Sequence, residues 1–223
     1  MQNLRSNRSR RLSRTRGFSL LEMMMVVALI MIMATISFIS LQPVLRQQRV
    51  TNAYNTVLSA MRQARDNAVA QRTSYVVVMD TTANPHTITV SPTFAGFQGA
   101  RPAVTFKLPI DVVFDNEPGI PTSNAFTPDG FGTGNKAVDF GYTGSGTGIG
   151  GSSQIYFCPD GSAQDAAGGA GQCLGNFNSG VVYIARRGDV LSSRAITVWG
   201  ATGRMRGWRL YSNGAGGYAW QRQ

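Results

Sequence analysis

The sequence predicts an α+β protein in which one long N-terminal helix packs on a small antiparallel β-sheet domain. Three observations carry this expectation. An unbroken apolar run occupies Phe18 to Leu41. A helical stripe of apolar residues follows it, down to about residue 73. Beyond Ser74 the chain turns to short β-branched and aromatic runs, punctuated by Gly, Pro and Asn. The four expected segments are 1–17, a basic leader; 18–41, an apolar helix; 42–73, its amphipathic continuation; and 74–223, a β-rich domain.

Residues 1–17 hold six Arg and no acid. Residues 18–185 hold eight basic and ten acidic residues, and residues 186–223 hold seven Arg against Asp189. The formal charge of +10 is therefore two basic ends around a near-neutral body. If the first block is removed in maturation, the remainder carries +4, so the whole-chain pI is a poor sign of nucleic-acid binding. At 43% hydrophobic and 14% charged residues, the chain has enough apolar surface for a core and is not a disordered polyanion or polycation. Its 26 glycines keep no period of three, which excludes collagen.

The run from Phe18 to Leu41 has one formal charge, Glu22. As a helix it spans about 36 Å, enough for a bilayer core. The preceding arginines favour a cytoplasmic N-terminus, with the rest of the chain across the inner membrane. An ordinary signal peptide has a shorter apolar region and no acid near its start. A carboxylate inside such a segment wants a positive partner. Cleavage between Gly17 and Phe18 would create one, an α-amine that a neighbouring subunit could present to Glu22.

Arg16-Gly17-Phe18-Ser19-Leu20-Leu21-Glu22, followed by the apolar run, resembles the class III signal of type IV prepilins and type II secretion pseudopilins. The resemblance implies a pilin-like fold. It also implies cleavage after Gly17 by prepilin peptidase, N-methylation of Phe18, and pairing of Glu22 with the Phe18 amine of an adjacent subunit. The apolar helix would sit in membrane lipid before assembly and in the filament core afterwards. Other pilin or pseudopilin subunits and an inner-membrane assembly platform are the implied partners.

Past Leu41, Pro43 is expected to bend or open the helix. Val50, Tyr54, Val57, Met61, Ala64 and Ala68 then recur at steps of four and three, with arginines beside them. The helix should end near Gln71–Ser74. Strands are expected at 75–79, 86–90, 103–108, 112–114, 155–157, 181–185, 195–199 and 208–211. Antiparallel sheets follow from so many short runs.

Several motifs invite sharper readings. The glycine-rich stretch Gly130–Gly151 lacks a phosphate-loop signature and reads as a surface loop or irregular strand pair. Cys158 and Cys173 flank Pro159–Gln172, and outside the cytoplasm they would form a disulfide worth about 3 kcal/mol on a chain-entropy argument. His86 is the only histidine and reads as a turn or edge residue. Asp111, Asp115 and Glu117 are spaced like calcium ligands but lack an EF-hand pattern, so they read as a solvated loop. No nucleophile, base and orienter stand together, so no catalytic residue, cofactor or metal is expected and the chain is not read as an enzyme.

The domain also resembles the FimT/GspH branch of minor pilins and pseudopilins. Leu58–Arg72 looks like that branch's helix end, Ile155–Gly161 like its Pro-Gly turn, and Arg194–Val198 with Thr202–Arg206 like its closing strand and turn. The resemblance implies a structural and assembly subunit of a type IV pilus or type II secretion pseudopilus. The alternative is a filament-borne binding subunit, for example a DNA receptor. That reading rests on Arg194, Arg204, Arg206, Arg209 and Arg222, interleaved with Trp199, Trp208, Tyr211, Tyr218 and Trp220.

Overall fold

The computed structural model describes residues 17–94, 101–121, 126–132, 136–142, 152–167, 172–214 and 216–223. Residues 1–16 of the basic leader and much of the glycine-rich stretch lie outside the described residues. The chain divides into two compact units, Met1–Val44 and Leu45–Gln223. One helix, α1 (Leu20–Gln71), supplies secondary structure to both and stays helical through Pro43.

In the first unit, the Ser19 carbonyl accepts the Met23 N–H and starts α1. Glu22 lies in the first turn, where the partial positive charge of the helix end favours an acid. The apolar side chains that follow are exposed all round. Thr35 and Ser37 return their hydroxyls to the carbonyls of Met31 and Met33, so these polar groups are satisfied within the helix.

In the second unit the expected stripe is buried, from Val50 to Ala68. Ala53, Ala60 and Asn67 widen it. The four alanines on this face let the helix lie close to the sheets, while Val57 and Met61 each contribute about 1.5–3 kcal/mol of apolar burial. Arg46, Arg49, Arg62 and Arg72 stay exposed. The helix stops at Gln71, and Arg72 turns left-handed at φ 52°.

The strands are β1 (Tyr75–Asp80), β2 (Thr87–Pro92), β3 (Val104–Lys107), β4 (Val112–Val113), β5 (Val138–Tyr142), β6 (Gln154–Phe157), β7 (Ala163–Gln164), β8 (Ser179–Arg186), β9 (Asp189–Trp199), β10 (Arg204–Ser212) and β11 (Tyr218–Arg222). They form two sheets. One runs β3-β2-β1-β6-β7, the other β11-β10-β9-β8-β4 with β5 also on β8. Every named pair is antiparallel. Alternation in β1 buries Tyr75, Val77 and Met79, and in β6 it buries Ile155 and Phe157.

Strand β8 is buried on both faces. Val182 and Ile184 join α1 and the first sheet in one large cluster. Val181 and Tyr183 face a smaller cluster with Ile120, Phe131, Ala195 and Leu210, flanked by Trp208, Tyr218 and Trp220. The second sheet thus separates two cores.

All eight expected strand runs appear as β1–β4, β6 and β8–β10. Strands β7 and β11 are not among the expected runs, and β5 falls in the glycine-rich stretch read as a surface loop or irregular strand pair. Val138 and Phe140 of β5 are buried, so this part of the stretch is strand and not surface loop. Two-residue β7 is too short to show periodicity, and β11 is held by its hairpin to β10. His86 is also more internal than a turn or edge residue. It precedes β2, which lies between β3 and β1, and is only 7% exposed. Its Nδ1 accepts the Phe114 N–H at 3.0 Å.

Arg65 closes the end of this assembly. Its Nε donates to the Gly161 carbonyl and its Nη2 to the Thr202 carbonyl, both at 3.1 Å. One guanidinium therefore ties α1 to the β6–β7 turn and the β9–β10 turn. The three segments that suggested the FimT/GspH branch meet here. Gly203, at φ 57°, permits the approach, since a Cβ there would lie 2.2 Å from the Gly161 carbonyl oxygen.

Gly203→Ala should therefore cost more than about 2 kcal/mol, combining left-handed strain with a backbone clash. Gly188→Ala, at φ 74° in open space, should cost only about 1 kcal/mol. Thermal unfolding of the full chain in detergent would measure both, and equal losses would refute the packing argument. Burial lowers the His86 pKa from 6.5, with Arg187 reinforcing it against Asp115 and Asp80. The folded state therefore takes up its proton less readily than the unfolded chain. This stability term is present above pH 6.5 and is lost as pH falls toward the lower folded value. His86→Gln should flatten the pH dependence of Tm between pH 7.5 and 5.5.

Candidate functional site

Gly17, Phe18 and Ser19 precede α1 without helical structure. Phe18 is 73% exposed, and a side chain at Gly17 would meet nothing within 4 Å. An accessible Gly-Phe bond therefore stands one turn before Glu22, which is itself exposed. From Leu20 to Leu45 the large apolar residues show no buried face. By length and composition this is one N-terminal helix able to cross a membrane. A lone carboxylate at its start is the only ionisable side chain before Arg46 in α1.

The arginines of the C-terminal region fall into two groups. Arg206 and Arg194 are occupied within the domain. The Arg206 Nη1 donates to Asp129 Oδ1 at 2.7 Å, and its guanidinium lies 5.2 Å from the Trp199 ring centroid. The Asp129 carboxylate also accepts the Trp199 Nε1–H at 3.2 Å and the Thr197 hydroxyl. Thr197 in turn accepts the Trp208 Nε1–H. Asp129 sits at φ 53° in a 3-10 turn, Pro128–Gly130, with its side chain only 6% exposed. This ion pair pins the turn across the second sheet.

Arg194 is 6% exposed and donates to Thr51 Oγ1 at 3.1 Å, with its guanidinium 5.9 Å from the Tyr54 ring. Burial lowers its pKa, and Arg209 acts in the same direction. Arg194 and Arg209 are register partners on β9 and β10, so two cations share one edge of the helix–sheet seam. Arg209 covers the Tyr211 ring at 5.2 Å. Arg204 and Arg222 are exposed. Of the aromatic residues, Trp208, Tyr218 and Trp220 pack on the smaller core, and Trp199 meets Phe131 edge-on.

Cys158 and Cys173 are disulfide-bonded, with Cα atoms 5.9 Å apart. Asp111 pairs with Arg49 at 3.4 Å, and Glu117 accepts the Gly188 N–H. No group of three or more His, Cys, Asp or Glu placed to hold a metal occurs among the described residues. Nothing local in the sequence marks Asp129 and Arg65 for these roles. Pro128-Asp129-Gly130 announces a turn, but nothing in it names the distant Arg206 as partner.

Residues 12–38 match the prokaryotic N-terminal methylation motif. Comparison with curated proteins and with solved structures gave no match. The motif and the helix-plus-sheet fold together support a general pilin- or pseudopilin-like structural subunit.

Asp129→Ala should cost about 3 kcal/mol, because it strands a largely buried Arg206 and two indole or hydroxyl donors. The double variant Asp129→Ala, Arg206→Met should recover part of that loss in thermal unfolding. No recovery would show that the pair is not coupled.

Proposed function

We propose that this chain is an assembly subunit, a minor pilin or pseudopilin of the FimT/GspH-like branch, in a type IV pilus or type II secretion pseudopilus. The observation that carries the reading is the N-terminal one. An accessible Gly17-Phe18 bond leads into an exposed apolar helix bearing a single carboxylate at Glu22. Prepilin peptidase cleaves after Gly17, and the new amine of Phe18 is methylated. The subunit waits in the bacterial inner membrane with its N-terminus cytoplasmic and its domain periplasmic. There the assembly platform draws it into the filament. A buried carboxylate is costly in hydrocarbon, and the Phe18 amine of a neighbouring subunit relieves that cost and sets the register.

Two further features support the reading. The Cys158–Cys173 disulfide suits a compartment outside the cytoplasm. The three segments resembling the FimT/GspH branch meet around Arg65. The alternative, a filament-borne DNA receptor, draws less support from the geometry. Arg194 and Arg206 already serve internal contacts, which leaves Arg204, Arg209 and Arg222 to meet phosphates.

Purified filaments test the proposal in one preparation. Intact mass should place the first residue at Phe18 with a methylated amine. Glu22→Ala should insert into membranes normally yet enter filaments several-fold less. Retention of residues 1–17, or wild-type incorporation of the variant, would refute it.

A further inference from the structure

A cavity of about 310 Å³ opens between the last turns of α1 and the start of β10. Arg62, Arg65, Asp66, Gly203, Arg204 and Met205 line it. Three arginines and one acid thus border the cavity. Arg65 is held in place by the Gly161 and Thr202 carbonyls. Carbonyl oxygens fix its orientation but leave its charge uncompensated. Arg62 and Arg204 are exposed. Among the described residues, none of the three forms an ion pair within 4.0 Å, with Asp66 or with any other acid. A pre-positioned cation flanked by two movable ones is a site for an oxyanion.

We propose that this cavity receives an acidic side chain from a protein partner other than a second copy of this chain. The cavity is compact and concave. A nucleic-acid backbone needs a positive track along its length, and Asp66 interrupts any such track here. A second copy of the chain offers few carboxylates. Seven, from Asp80 to Asp189, already hold hydrogen bonds or ion pairs. Asp139 is fully buried. Asp115 acts on His86, which leaves Glu22 and Asp66, and Glu22 belongs to the other unit.

The full chain in non-ionic detergent can be titrated with a labelled Glu-rich octapeptide and followed by fluorescence anisotropy. A Gln-rich peptide of the same length and a labelled DNA duplex are run alongside. The acidic peptide should bind, weaken with salt, and weaken about tenfold or more in the double variant Arg62→Ala, Arg204→Ala. Asp66→Asn should tighten it, and the Gln-rich peptide should not bind. Both arginines are exposed, so thermal unfolding of the double variant should match wild type. Absence of peptide binding at low salt would overturn the proposal, as would equal binding by wild type and double variant. Duplex DNA that loses affinity in the double variant while the peptide does not would also overturn it, and would make the occupant a polyanion.

Discussion

The second unit is organised around one face of α1. Val50, Tyr54, Val57, Met61, Ala64 and Ala68 are buried together, and both sheets reach this face through a single cluster. The stripe works because it mixes large and small residues. Alanines admit the strands closely, and Val57 and Met61 fill the space between them. Arg65 lies beside this stripe, between Ala64 and Ala68. Its two carbonyl contacts fasten the turns that close each sheet, so helix packing and turn position are one constraint.

The first stretch of the same helix obeys different chemistry. It offers no polar face, returns its hydroxyls to its own carbonyls, and concentrates its single charge at the N-terminal end. A helix of this kind needs an apolar surrounding. Glu22 is the exception in this stretch, since hydrocarbon alone does not stabilise a carboxylate.

Positive charge in the domain is sorted by environment. Asp129 and the aromatic rings around it absorb Arg206, and Tyr54 and Thr51 absorb Arg194. These groups serve to hold a turn and a seam in place. The arginines around the cavity differ because their neighbours are carbonyls and solvent. Counting arginines along the sequence merges these two populations. Their partners separate them.

By itself, the sequence determined the long apolar helix, its buried stripe, eight of the strands and the likeness of residues 16–22 to a processing signal. Those features are local. Apolar runs, periodicities of 3.6 and 2, and a charge placed within a few residues of a dipeptide can be read without knowing the fold. Tertiary structure decided the rest. Strands β5, β7 and β11 exist because neighbouring strands supply their hydrogen bonds, against weak signals of their own. His86 is internal because Phe114 and the first sheet enclose it. Arg206 and Arg65 acquired their roles from Asp129, Gly161 and Thr202, each at least 77 positions away. A long-range contact of this sort leaves no local pattern, because its energy depends on where the chain returns.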